Sequence, residues 1–213
     1  MAAQDRMNRS SEEATGAAVP HRVLVVVGPS ASGKSSVVRE LHRRQLVRVH
    51  PTWTTRPRRD DERDGSFEHR FVSDAVFDEL RARGFFLGTA ALPGLSHRYG
   101  LAPLLAASGG PVDAVILRAQ FVERVARAFS RQLVYQIEDT VERAEQRLLL
   151  RGCTAAEVAA RLDEHHGEIA AGRRVAHRVI VNDRPVSALV NVVSAALRRD
   201  LTQGTVDQGE LAP

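Results

Sequence analysis

"VVVGPSASGKSS", Val25 to Ser36, is the stretch on which the reading of this chain turns. Upstream, the β-branched run Arg22–Val27 reads as a strand buried on both faces. Downstream, Ser35–Arg44 sets Val37, Val38 and Leu41 on one helical face. Between them Gly28, Pro29, Ser30, Ala31, Ser32, Gly33, Lys34 and Ser35 fit G-x-x-x-x-G-K-[ST] in the strand–loop–helix context that the motif requires. The glycines permit a backbone that aims successive N–H groups inward, and the helix start adds its positive dipole end. Gly28 to Ser36 is therefore expected to hold the phosphates of ATP, with Lys34 reaching the β- and γ-phosphates and the Ser35 hydroxyl on Mg²⁺. Lys34 is the only lysine of the chain; the other 29 basic residues are arginine. An ammonium is a compact point charge that fits inside a loop wrapped round a phosphate, whereas guanidinium is a wide planar fork.

Composition narrows the remaining choices. The 213 residues are 43% hydrophobic, enough for one domain with a sizeable core. Thirty basic against 26 acidic residues leave a formal charge of +4, but the arginines alternate with acids and form no basic block. Aromatics are 5%, so stacking platforms for bases are scarce, which argues against a nucleic-acid partner and for a small polyanion. A single cysteine, Cys153, excludes an internal disulfide framework and a Cys-based zinc cluster. Residues Met1 to Pro20 carry Asp5, Glu12 and Glu13 and lack an apolar h-region, and no apolar run is long enough to span a bilayer. A cytoplasmic protein without a membrane partner is expected.

Past the loop, short apolar runs alternate with helical patterns. Strands are expected at Leu46–His50, Phe85–Ala91, Val112–Leu117, Gln132–Ile137 and within "HRVIVND". Helices are expected at Asp74–Arg83 (N-cap Ser73), Gln120–Phe129, Val141–Arg151, from the capping box Thr154–Glu157 to about Ala171, and at Val186–Arg198. Thr54–Ser66 reads as a polar segment and Leu92–Gly100 as a loop. Residues 1–20 and 201–213 read as tails. Apolar strands alternating with helices give an α/β class: a parallel core sheet covered on both sides, three layers in all.

"TWTTRPRRDDERDG", Thr52 to Gly65, sets Arg56, Arg58 and Arg59 beyond the second strand. Such forks suit a phosphate, and they equally suit pairing with Asp60, Asp61 and Glu62 in a solvated loop. Here the sequence resembles the guanylate kinase family. "GPSASGKSS" looks like its phosphate loop and "TTRPRRDDERDG" is similar to its TTRxPRxGExxG stretch. "VERAEQRLLLRGCTAAEVAARL" looks like its lid, and "HRVIVND" like its adenine-side strand and loop. The resemblance covers Arg22 to Arg198 and implies an ATP-dependent P-loop kinase with a core at 21–200, an acceptor subdomain near 54–102 and a lid near 147–165. By the same resemblance Thr52, Arg56, Arg59 and Tyr99 would hold the acceptor's phosphate. Arg147, Arg151 and Arg161 would neutralise the transferring phosphoryl group from the lid, and Asn182 would lie beside adenine.

Three departures concern the acceptor. Gly88 of "FFLG" stands where the family has a guanine-binding Glu. "VILRAQ" puts Arg118 and Ala119 where a strand end carries acids, and "GSFEHRF" lacks the family's tyrosine. Gly65, Ser66 and His69 resemble the matching segment of ribose 1,5-bisphosphate phosphokinases, and Arg98 and Arg118 would suit an acceptor with two phosphates. His69 would then orient a sugar hydroxyl, or stand solvated in a polar loop. GMP, a ribose bisphosphate, and a non-catalytic binding module thus remain three readings of the acceptor half. The pair His165–His166 reads as helix surface rather than a metal site.

Overall fold

Every residue of the run Val23–Val27 is shielded from solvent, and that forces a layer of structure onto each face of the strand it forms. In the computed structural model, which describes residues 22–58, 62, 67–91, 97–104, 110–126 and 131–206, this strand, β1 (Arg22–Val27), is the centre of a five-stranded sheet. Its companions are β2 (Val47–Val49), β7 (Val112–Ile116), β8 (Arg131–Glu138) and β9 (Arg178–Val181). The order is β2-β7-β1-β8-β9, and every pairing is parallel. One face of β1, Leu24 and Val26, packs on Val37, Val38 and Leu41 of helix α1 (Lys34–Arg43) and on Leu189, Val190 and Val193 of α7 (Val186–Val206). The other face, Val23, Val25 and Val27, meets Phe121 and Val122 of α3 (Ala119–Ala126) and Ala171 of α6 (His165–Val175). This is the three-layer α/β arrangement that the sequence pattern predicts. It puts all the strand C-termini on one edge, where such sheets bind ligands.

A second sheet, β4-β3-β6-β5, stands beside that edge. Its strands are β3 (Thr52–Thr54), β4 (His69–Phe71), β5 (Gly88–Ala91) and β6 (Arg98–Leu101). The sequence reading missed β3 and β4 and made a loop of residues that form β6. Three- and four-residue strands such as TWT, HRF and RYGL are too short to show a period. They are held instead by a nonlocal aromatic cluster. Phe86 stacks on Phe77 of helix α2 (Asp74–Ala82) at 4.8 Å and meets Trp53 edge-on, and a Cβ at Gly100 would lie 2.7 Å from the Phe86 ring.

Two helical boundaries also differ. The helix expected from Thr154 to Ala171 is two, α5 (Ala155–Asp163) and α6, meeting at Glu164, while the Thr154 capping box forms as expected. The last helix continues past Arg198 into the expected tail, to Val206. Asp200 explains this extension: it accepts from the Tyr135 hydroxyl at 2.5 Å and pairs with Arg178, while Arg22 donates to the Leu201 carbonyl. Among the described residues no helix is long and apolar enough to cross a membrane.

Helix α6 lies so close to β8 that Gly172 has no room for a side chain: a Cβ there would sit 1.4 Å from Gln136 Oε1. Gln136 cannot swing away freely, because its amide donates to Glu138 (2.6 Å) and to the Ile169 carbonyl (3.0 Å). Glycine to alanine within an exposed helix normally gains about 1 kcal/mol. Here the sign should reverse: Gly172→Ala is expected to lose about 1–3 kcal/mol through overpacking, measured as a lower urea midpoint at unchanged m-value.

Candidate active site

The loop between β1 and α1 is a chain of left-handed residues: Gly28 at φ +139°, Ala31 at +58° and Gly33 at +100°. Alternation of this kind turns successive N–H groups to one side and makes an anion nest. The loop is braced from behind. Asn182 Nδ2 donates to the Ser32 carbonyl at 2.9 Å, and Arg147 donates to the Ala31 carbonyl at 2.8 Å and pairs with Asp139. Ala31 itself packs against Ala144 and Leu148 of α4 (Val141–Leu150) and Val158 of α5. The Ser32 hydroxyl is buried without a hydrogen-bond partner.

In front of the loop lies a cleft that opens to solvent. Gly28, Ser30, Ala31, Lys34 and Ser35 line it on one side. Pro29, Ser32, Gly33 and Ser36, also expected at the phosphates, are not among its lining residues. The second sheet supplies the opposite wall with Thr52, Arg56, His69 and Tyr99, and Arg151 and Arg161 close it from the helical segment. Residues more than 100 positions apart in sequence thus converge on one space. Arg59 lies outside the described residues.

Each acceptor-side group is already held in place. Arg56 is buried, forks onto Glu62 at 2.7 and 2.5 Å, and stacks over Phe71. The pairing with Glu62 that the charge pattern allowed therefore forms, yet Arg56 still faces the cleft. His69 shares a 2.7 Å hydrogen bond with Thr52 Oγ1, and its ring meets Tyr99 edge-on. His97 has its imidazole lowered by desolvation and by the Arg161 and Arg56 charges.

Several expected placements are corrected. Arg147 sits behind the loop rather than on the cleft, drawn there by Asp139. Arg98 turns away onto Asp74, Asp78 and the Phe77 ring, so it adds no charge to the acceptor wall. Gly88 does not line the cleft, whereas Ala90 and Ala91 of the same strand do. His165 is buried with Nε2 3.1 Å from the Asp139 carbonyl oxygen, not on the surface; His166 is exposed.

Sequence reasoning missed two carboxylates. Glu68 accepts from the Ser35 hydroxyl at 2.5 Å, and desolvation raises its carboxyl above the usual range against the pull of Ser35, Arg39 and Lys34. Glu168 accepts from Arg118 Nη2 at 3.0 Å and from the Ala119 amide at 2.8 Å, while Glu164 takes Arg118 at 2.6 Å. Only the spacing of Glu164 and Glu168, one turn apart on a helix face, signals this in the sequence.

No family model matches the chain. The guanylate kinase of Nitrosococcus oceani is 32% identical over 181 residues, 78% of this chain and 83% of that protein. That of Mycobacterium leprae is 36% identical over 81% and 84%, and that of Mycolicibacterium paratuberculosis 39% identical over 81% and 79%. This chain belongs to the guanylate kinase family. The crystal structure of guanylate kinase from Anaplasma phagocytophilum, at 20% identity, has the same fold, with a TM-score of 0.65 over 84% of this chain and 86% of that one.

Lys34 gives the site a measurable signature. Its amino group donates to the Gly28 and Pro29 carbonyls at 2.8 and 2.6 Å. Desolvation lowers its pKa to about 8, with Glu168 opposing and Arg118 assisting. Polyphosphate on the loop would stabilise the ammonium and raise that value again. Lys34 is therefore expected to take up a fraction of a proton when ATP binds at about pH 8, and to contribute none at pH ~6, where it is already charged. Calorimetry in buffers of different ionisation enthalpy checks both.

Proposed function

We propose that this protein catalyses Mg²⁺-dependent transfer of the γ-phosphoryl group of ATP to a small phosphorylated acceptor, GMP being the acceptor that the names of its relatives indicate. The supporting observation is the single cleft in which the Lys34 loop faces Thr52, Arg56, His69 and Tyr99, with Arg151 and Arg161 between. Transfer of this kind asks for positioning and neutralisation rather than covalent chemistry from the protein. In this reading the loop amides and Lys34 hold the donor, while Arg56 and Tyr99 orient the acceptor's phosphate. Arg151 and Arg161 spread over the transferring group as the segment near 147–165 closes and excludes water. Arg147 keeps the loop in shape and acts through it. Ser35, on the first turn of α1, would hold Mg²⁺. A hydroxyl beside a carboxylate is an oxygen donor set suited to that ion, which when bound neutralises charge on the β- and γ-phosphates.

A second reading of the acceptor has a specific observation in its favour. Around Ala90, Gly100, Ile116, Leu117 and Phe121 the far wall is apolar, and Arg118 occupies the strand end. A site without polar partners for a base's edge discriminates weakly for guanine, and ribose 1,5-bisphosphate is the alternative acceptor. The binding-module reading fits less well with a loop that keeps Lys34 and Ser35.

ADP release measured in parallel with GMP, dGMP, AMP and ribose 1,5-bisphosphate decides among these. Stimulation by GMP is expected; preference for the sugar bisphosphate selects the second reading, and silence with all four would sink the kinase assignment for these acceptors. Lys34→Ala should lower turnover with the accepted substrate by at least about a hundredfold at an unchanged far-UV spectrum.

A further inference from the structure

In P-loop enzymes the hydroxyl after the loop lysine shares its divalent ion with an acid at the end of a neighbouring strand. Of the two neighbours of β1, strand β7 ends here in Ile116, followed by Leu117 and Arg118, with no acid, whereas β8 ends in Glu138, followed by Asp139. The other carboxylates of the sheet are turned elsewhere. Asp113 lies at the opposite end of β7, with His50 at 2.6 Å. Glu138 forks onto Arg173 at 2.7 and 2.6 Å, and Asp139 holds Arg147. Among the described residues, Glu68 and Glu168 are the acids that line the cleft. Glu168 receives Arg118 on one oxygen and the Ala119 amide on the other.

Glu68 is placed differently. It immediately precedes β4, so it belongs to the second sheet, yet it reaches across to accept the Ser35 hydroxyl at 2.5 Å. Arg39 of α1 lies 3.7 Å from its other oxygen. A buried carboxylate bonded to the loop serine is the relation that a strand-end acid has in other P-loop enzymes, here delivered from outside the core sheet. We propose that Glu68 is the acid that, with Ser35, positions the divalent cation of the donor nucleotide. This assignment rests on the ATP-dependent reading given above. Its consequence is that the metal site is complete only while the second sheet is docked against the loop. The sheet that grips the acceptor would thereby also govern the metal.

The test compares the affinity of the full chain for a non-hydrolysable ATP analogue in EDTA and in Mn²⁺, by calorimetry. The ratio of the two affinities reports the ion alone and needs no turnover. In the wild type Mn²⁺ should strengthen binding. In Glu68→Gln, which keeps an acceptor for Ser35, that strengthening should fall about tenfold or more, while affinity in EDTA holds or rises. Glu68→Asp should recover part of it, and Glu168→Gln should leave the ratio at its wild-type value. A wild-type ratio in Glu68→Gln overturns the proposal, and so does a loss confined to Glu168→Gln. Failure of the wild type to bind the analogue under either condition would instead overturn the ATP reading itself. Thermal unfolding of the nucleotide-free variants separates a lost ligand from a lost fold.

Discussion

A Cβ at Gly28 would lie 2.1 Å from the carbonyl oxygen of Ile137, and the rest of the site depends on that close approach. It presses the phosphate loop onto the end of β8, which Asp139 follows, and beside the end of the paired strand β9, which Asn182 follows. With the loop in that position, Asp139 can hold Arg147 against the Ala31 carbonyl and Asn182 can hold Ser32. Gly33 repeats the constraint, since a Cβ there would be 2.6 Å from Asn182 Nδ2. One contact is to backbone and the other to a hydrogen-bonded side chain, and at φ +139° and +100° both positions favour glycine. The nest is thus preformed, with strain at Ala31 offset by packing of its side chain under α4 and α5.

What could be read in advance follows from how local each signal is. The loop and the sheet were legible because a strand shielded on both faces is written as a continuous apolar run, and the motif spans eight contiguous residues. The helix caps at Ser73 and Thr154 are equally local and formed as the sequence indicates. The second sheet was not legible, because its strands owe their stability to Trp53, Phe77 and Phe86 meeting from distant segments. Arg147 and Arg98 point elsewhere than expected for one reason. Each type of side chain was recognised, but its direction is set by a partner that the sequence does not pair with it. Asp139, eight residues before Arg147, and Asp74 and Asp78 of helix α2, 24 and 20 residues before Arg98, decide where those guanidinium groups go.

The same nonlocality governs the charge of the acceptor half. Read along the chain, Arg118 at the end of β7 looks like an inversion of sign where acids were expected. In space it meets Glu164 and Glu168, so the cluster of three carries a net negative charge and the guanidinium is tethered. Desolvation disfavours the Arg118 charge, and the two glutamates more than compensate it. Acids have not left the site. One pair has moved from the strand to the α5–α6 junction, and a third, Glu68, to the start of β4.

That relocation alters what the helices do. Gly172 lets α6 approach β8 closely, and the approach brings Glu168 within reach of both the Arg118 side chain and the Ala119 amide. Helix α5, which carries Arg161, joins α6 at Glu164, itself a partner of Arg118. Arg161 therefore hangs from a junction that is fastened to the sheet by charge, with Leu148 and Val158 as the apolar pivot on Ala31. An exposed ion pair would be a weak fastening, but Glu168 is buried and accepts from a backbone amide as well. The end of α5 at Glu164 is thus tied to the sheet by charge and its middle to the phosphate loop through Val158, while Cys153, just ahead of its start, donates from its backbone to the Leu148 carbonyl of α4.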